Sequence, residues 1–373
     1  MKRLPAPSAH DLDRDIGTFI ARGFEDPPTH AEFNSLALRL FDYQFQNNKP
    51  YHEFCHARDI APEGILSWKE IPAVPVSAFK VADLACEPLA RARRIFHTSG
   101  TTRGSERRGR HFLFNLALYD LAAGPNFKRY VLPDHESLPM FILAAHPSHA
   151  PDSSLAYMLE RVRESFGSAS SRYVMDSNGL QANLLLDCIQ HAGDLPVCLL
   201  GTSYAYIHFM DRLRESNTRL RLPEGSRIMD TGGYKGKSRD LTRDEFLAEI
   251  ENTLGVPPAF VVNEYGMTEL TSQFYDNLLF DYTRGMASSR CKTIPPWVRV
   301  RVVSPDTLEE APDGERGLLA IYDLGNRGSV LAIQTEDIGV RIGDGFEVEG
   351  RATGAEARGC SLAAAEFLHA TRG

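Results

Sequence analysis

The class this sequence predicts is α/β, with a smaller all-β subdomain, and three observations carry that prediction. Short apolar runs recur at RRIF (93–96), MFILAA (140–145), VCLLG (197–201), SRIMD (226–230) and AFVVNE (259–264). Helical patterns lie between them at 112–124, 153–166, 179–192, 203–216 and 240–254, and such alternation predicts a sheet joined by helical crossovers. After residue 285 the character changes: WVRVRVVS (297–304), GLLAIYDL (317–324), SVLAIQTED (329–337) and GFEVEGR (345–351) read as strands joined by Pro-Asp and Asp-Gly turns.

Each element follows from its residues. Residues 9–23 and 30–47 are amphipathic helices, the second presenting Phe33, Leu36, Leu40 and Phe41 at helical spacing. The passage IPAVPVSAF (71–79) is extended, because each proline removes a donor and biases its predecessor out of the helix. These signals divide the chain into an α/β domain over 1–285 with a helical part at 1–70, a β subdomain over 286–351, and a short tail over 352–373 that returns to helix.

Composition narrows the function. With 373 residues, 43% of them hydrophobic and 24% charged, the chain has ample material for a core. A net charge of -8 argues against a general nucleic-acid binder. No apolar run approaches the ~18 residues of a membrane span, and residues 1–17 hold no apolar leader, so neither a span nor secretion is expected. The six cysteines, at 55, 86, 188, 198, 291 and 360, include no C-x-x-C pair, which points to reduced thiols and a cytoplasmic setting. His146 and His149 sit in HPSH without a cysteine partner, a pattern weak for a metal.

Four stretches gather chemistry at strand ends. HTSGTTRG (97–104) is either a polar turn or a loop that wraps phosphate, since Gly, Ser and Thr suit both. TGGYKGKS (231–238) nearly matches a P-loop, but the glycine that pattern requires falls on Thr231, so a P-loop is rejected. Its Gly232 and Gly233 still permit close backbone approach to a flat ligand at a strand's carboxyl end. In NEYGMTE (263–269), Asn263 offers an amide for a base edge and Tyr265 a flat face. Thr268 adds a hydroxyl for phosphate and Glu269 a hard carboxylate for Mg2+. In TEDIG (335–339), Asp337 is able to accept two hydrogen bonds from a ribose diol. Seven arginines within 91–111 suggest a solvated face or a strip for pyrophosphate, phosphopantetheine or an acidic carrier protein.

Taken in order, TSGTTRG, the GG turn, YGMTE, TEDIG and Gly350-Arg351 resemble the adenylate-forming enzymes, the superfamily of acyl-CoA synthetases and firefly luciferase. More closely, IPAVPVSAFK, GGYKGK, IPPWVRVRVVSPDTLEE, PDGERGLL, TEDIG and EARGCSLAAAEF resemble the LuxE-type acyl-protein synthetases, which activate an acid for bacterial fatty-acid reductase. The resemblance implies the N-terminal-domain fold of adenylate-forming enzymes, with layered αβ sheets. It implies ATP and Mg2+ as cofactors and a carboxylic acid, fatty or aryl, as substrate. An acceptor such as a reductase or carrier protein is the implied partner.

Under that resemblance Thr98, Ser99, Gly100, Thr101, Thr102 and Gly104 cradle the β- and γ-phosphates. Gly232, Gly233, Asn263, Tyr265, Gly266, Asp337 and Arg351 bind nucleotide, Glu269 holds Mg2+, and Thr268 serves the chemistry. His146 is the candidate for the acid pocket. Larger superfamily members append a C-terminal domain that swings in with a catalytic lysine. Here only residues 352–373 follow Arg351, so that domain is expected to be absent and Lys235, or Lys237, is the candidate substitute. Cys360 is then the expected acyl carrier. It precedes Ser361, an N-cap for LAAAEFLH, and lies two residues from Arg358; a helix N-terminus favours a thiolate by about 0.3–1 kcal/mol. A carboxylate–CoA or amide ligase without an acyl-enzyme is the alternative, and a nucleotide-binding module without turnover a more distant one.

Overall fold

The computed structural model describes residues 7–98, 108–232, 241–353 and 364–371. They fall into two units by contact: 1–122 with 267–272 and 293–373, and 123–266 with 273–292.

The second unit holds the alternating passage. Its six-stranded sheet runs in the order Phe274–Tyr275, Val261–Tyr265, Arg227–Thr231, Cys198–Thr202, Met140–Leu143 and Arg172–Tyr173. All neighbours are parallel except the edge strand Phe274–Tyr275, which returns antiparallel on Val261–Tyr265. The central strands are apolar throughout because helices cover them; Met140–Leu143 and Cys198–Gly201 are wholly buried. The crossover helices Ser154–Phe166, Ser203–Glu215 and Arg243–Leu254 start at caps the sequence supplies, namely Ser153, Thr202 and Thr242, the last in a capping box with Glu245. The third helix ends on Gly255 at φ 72°, a left-handed position that favours glycine.

In the first unit the helices Ala9–Arg22 and His30–Asn47 form as the periodicity predicts, the second with a Thr29–Glu32 capping box. The expected β passage is a sheet of Val298–Val303, Arg316–Asp323, Ala332–Ile342 and Gly345–Arg351, antiparallel throughout. Val74–Pro75, from the proline-marked passage, adds a parallel edge by pairing with Ile333 and Gln334. No described helix is long and apolar enough to cross a membrane.

Two expectations are corrected. The run RRIF does not join the parallel sheet: Arg94–His97 pairs antiparallel with Arg110–Leu113 in a separate two-stranded ribbon. The helix expected at 112–124 accordingly begins later, at Leu116, and runs through Pro125 to Val131. A short apolar run such as HFLF is ambiguous between strand and helix start. Proline is a strong stop signal, but here burial of Phe127, Val131 and Leu132 beyond it offsets the lost hydrogen bond.

The second unit also buries an arginine completely. Arg227 donates to both oxygens of Asp134 and to Gly225 O at 2.6 Å. Burial raises the Asp134 carboxyl, but hydrogen bonds from Arg227 and then His135 outweigh it and bring it down to about 2. A carboxyl depressed below its unfolded value contributes stability that is present above the unfolded pKa and lost as pH falls through the folded one. Asp134→Asn is expected to cost about 2–4 kcal/mol near neutrality, because it strands a buried guanidinium. In urea unfolding, the gap from wild type should narrow as pH falls from about 4 toward 2.

Candidate active site

The sequence-predicted residues group within each unit. In the second unit, Thr202, Thr231 and Tyr265 end parallel strands on one edge, where open α/β sheets bind ligands. Beneath that edge lies a buried polar network. Asp230 accepts from Ser203 Oγ at 2.8 Å, from Arg243 at 2.8 Å and from Asn263 Nδ2 at 3.0 Å. Asn263 Oδ1 accepts from Lys292 Nζ at 2.6 Å, and Lys292 also donates to Asp276 at 2.8 Å. Both ends of the Asn263 amide are therefore engaged inside the protein. Burial pushes the Lys292 ammonium down, with Asp276 opposing.

Glu264 is buried beside this network, and burial lifts its carboxyl to about 6 against the hydrogen bond from Thr231 Oγ1 and the charge of Lys292. A Cβ on Gly266 would stand 2.2 Å from Glu264 Oε1, so a larger residue fits there only if the Glu264 carboxylate shifts. Gly232 is exposed at φ 83°, a conformation L side chains rarely adopt. The Tyr265 ring lies 5.9 Å from that of Phe274. His146, beyond the strand Met140–Leu143, is half-buried; its Nδ1 is 2.8 Å from Ser148 Oγ and its ring packs edge-on to Tyr173 at 4.7 Å.

The first unit brings together Thr268, Glu269, Asp337 and Arg351. Asp337 and Arg351 are cross-strand partners in the antiparallel pair, with Arg351 Nε 3.9 Å from Asp337 Oδ1 and Arg351 Nη1 3.4 Å from Glu336 Oε2. Glu269 is buried on a turn directly after Thr268. Burial lifts its carboxyl to about 7; its own backbone N–H, Arg351 and Lys80 pull it down, and Glu336 pushes it up. No described cation forms an ion pair with it.

The chemistry of this donor set fits Mg2+. That ion is usually held by one or two carboxylates together with phosphate oxygens rather than by a full protein cage. No cluster of three His, Cys, Asp or Glu side chains suited to a metal occurs among the described residues.

Thr98 closes the ribbon: its Oγ1 accepts from Gly109 N at 2.9 Å, and its carbonyl accepts from Arg108 at 2.6 Å. Ser99, Gly100, Thr101, Thr102, Gly104, Gly233, Lys235 and Cys360 lie outside the described residues. Of the other cysteines, Cys55, Cys86 and Cys198 are buried, and burial pushes each thiol up to about 12.

Sequence reasoning missed His111, whose Nδ1 is 2.9 Å from Thr268 O, and Asn326, whose Nδ2 donates to Glu269 O at 3.0 Å. Burial lowers His111 to about 4, so its ring is neutral near pH 7. Neither belongs to a motif; His111 stands in a run that reads as a helix start, and Asn326 in the gap between two strands.

This architecture is that of the adenylate-forming ligases. It matches a 2-hydroxyisobutyryl-CoA ligase in its open conformation, in complex with 2-HIB-AMP and CoA, at a TM-score of 0.60 and 14% identity over 94% of this chain and 79% of that one. The same ligase in its thioesterification state matches at a TM-score of 0.59 and 15% identity, over 84% of this chain and 64% of that one. At the sequence level, the profile described as "Acyl-protein synthetase, LuxE" matches residues 25–369. The chain therefore belongs to the LuxE acyl-protein synthetase family, and it is a ligase. It is 24% identical to a long-chain-fatty-acid–luciferin-component ligase of Vibrio harveyi over 95% of this chain and 94% of the relative. A protein of the same name from Aliivibrio fischeri is 21% identical over 82% and 78%.

Arg351 is 76% exposed, so its pairing with Asp337 and Glu336 is strongly screened. Arg351→Ala is expected to change the unfolding free energy by less than about 0.5 kcal/mol in denaturant titration. Any loss of activity in that variant then reports on ligand chemistry and not on folding.

Proposed function

We propose that this chain activates a carboxylic acid with ATP, carries the acyl group on Cys360 and passes it to an acceptor. A carboxylate oxygen attacks the α-phosphorus, the bond to the bridging oxygen breaks, and pyrophosphate leaves with that electron pair; the product is acyl-AMP. The Cys360 thiolate then attacks the acyl carbon, AMP leaves, and a thioester forms. A reductase or carrier protein receives the acyl group. Long-chain fatty acids are the proposed substrate class, since two relatives of matching length are named for them.

The observation that carries the reading is Glu269, a buried carboxylate beside Thr268 with no ion pair among the described residues. Leaving such a group without a cation is unfavourable, and burial lifts its pKa accordingly. Glu269 would hold Mg2+, which when bound offsets phosphate charge. Thr268 would donate to an α-phosphate oxygen, and Asp337 would accept from the ribose diol. The 98–104 loop would wrap the β- and γ-phosphates with backbone N–H groups and hydroxyls.

Acid-dependent exchange of pyrophosphate into ATP, run over a panel of fatty, aryl and amino acids, tests activation and substrate class together. Long-chain fatty acids should give the fastest exchange, and no exchange with any acid would end the adenylation reading. Within that assay, Glu269→Gln should lower kcat by about 10²–10³-fold with KM for ATP little changed, because charge neutralisation grows in the transition state. Asp337→Ala should instead raise KM for ATP by about tenfold, since a ribose contact is alike in ground and transition states. Negligible effects in both variants would remove these roles.

Separating the half-reactions tests the carrier. With radiolabelled acid and ATP, Cys360→Ala should keep pyrophosphate exchange yet lose the covalent, thiol-cleavable label. Cys291→Ala should label normally; Cys291 is the described cysteine that is only partly buried. Full labelling of Cys360→Ala would put the carboxylate–CoA or amide ligase ahead.

A further inference from the structure

The hexapeptide Met267–Ser272 belongs by contact to the first unit, although Gly266 before it and Gln273 after it belong to the second. It lies in neither a helix nor a strand, so its backbone groups must find partners elsewhere. Leu270 N–H donates to Met267 O at 3.1 Å. Asp323 Oδ2 accepts from the N–H groups of Thr271 at 3.0 Å and Ser272 at 2.9 Å. The carbonyls between these points are taken by two side chains from distant parts of the chain. His111 Nδ1 reaches Thr268 O, and Asn326 Nδ2 reaches Glu269 O. A carbonyl only accepts, so His111 carries its proton on Nδ1.

Both holders are themselves fixed. His111 is buried in the strand Arg110–Leu113, with its ring edge-on to Phe79 at 5.9 Å. Asn326 is buried, its Oδ1 accepts from Thr271 Oγ1, and its carbonyl accepts from the buried Gln44 at 2.9 Å.

Resting on the adenylation reading above, we infer that His111 and Asn326 are positioning residues for the activation step. Holding two consecutive carbonyls sets the peptide planes on both sides of Glu269. That fixes the directions in which Thr268 and Glu269 leave the backbone. A reacting centre that relies on placed charges is sensitive to such directions, because misplacement by about 1 Å costs on the order of 10²-fold in rate. A neutral imidazole suits this position, since it donates one hydrogen bond and brings no charge near the phosphates. Neither residue touches the reacting atoms.

The test uses the full chain and two variants of His111. His111→Phe keeps a ring against Phe79 and removes the donor. His111→Asn restores an amide N–H near the position of Nδ1. Two measurements are made: hydrogen exchange of the backbone amides of residues 267–272, and steady-state pyrophosphate exchange with long-chain fatty acids. His111→Phe should speed amide exchange in that hexapeptide by about tenfold or more, with the parallel-sheet amides unchanged. It should also lower kcat by about 10–100-fold while KM for ATP moves less than about threefold. His111→Asn should recover both quantities to within about threefold of wild type.

Unchanged amide exchange and unchanged kcat in His111→Phe would overturn the inference. So would uniformly faster exchange across the unit that His111→Asn does not repair, since that is the behaviour of a plain core residue. An inactive wild type overturns the activation reading itself, a result distinct from an active wild type whose His111→Phe variant is equally active.

Discussion

The buried carboxylate of Asp323 is the constraint on which the first unit depends. It ends the strand Arg316–Asp323 and accepts from Thr271 N, Ser272 N, Ser272 Oγ and Gly325 N, all at 2.9–3.0 Å. It is fully buried, and burial pushes it up to about 6 in spite of those donors. It organises the loop that follows. Asn326 turns to the Glu269 carbonyl, and Arg327 pairs with Asp13 at 2.6 Å and with Glu87. A Cβ on Gly328 would stand 2.6 Å from the ring of Phe114, so only glycine passes there unless that ring moves. Irregular backbone inside a core survives only if side chains satisfy it, and the helix His30–Asn47 supplies one of them. Gln44 donates to Asn326 O at 2.9 Å and accepts from Leu331 N at 2.8 Å.

Buried charge elsewhere follows the same rule, which is why the exception is informative. Asp230, Asp276 and Asp323 each accept several hydrogen bonds, and Glu264 accepts from Thr231. For Asp276, burial raises the carboxyl but Lys292, Arg290 and Arg243 outweigh it, and it ends below its ordinary value. Among the described residues, Glu269 has only its own N–H, with Arg351 and Lys80 acting from a distance. Glu264 and Asp323 likewise have no ion pair among the described residues, but side-chain or backbone donors reach them from elsewhere in the chain. It is this lack of a donor from another residue that sets Glu269 apart. The thiols divide similarly. Cys55, Cys86 and Cys198 are held protonated by burial, so nucleophilic chemistry on sulfur would have to come from another position.

Much of the fold was legible because its signals are local. Strand runs such as Met140–Leu143 and caps such as Thr242 with Glu245 are read within a few residues. The limits were local too. HFLF carries equal signals for two elements, and Pro125 is a stop signal that packing around Phe127 overrides. Asn263 shows a subtler limit. Its amide suits a base edge by type, yet the fold commits both ends to Asp230 and Lys292.

Sequence alone determined the alternation of strand and helix and the later β passage, and it singled out Thr268, Glu269 and Asp337 as candidates. Each of these depends on residue type and on spacing of a few positions along the chain. Tertiary structure alone decided that Arg351 stands opposite Asp337, that Glu269 is buried without an ion pair among the described residues, and that His111 and Asn326 hold the adjoining carbonyls. His111 and Thr268 are separated by 157 positions, and Asn326 and Glu269 by 57. A hydrogen bond across such a distance leaves no periodic trace in the sequence. It exists only once the folded chain has brought the donor to the acceptor.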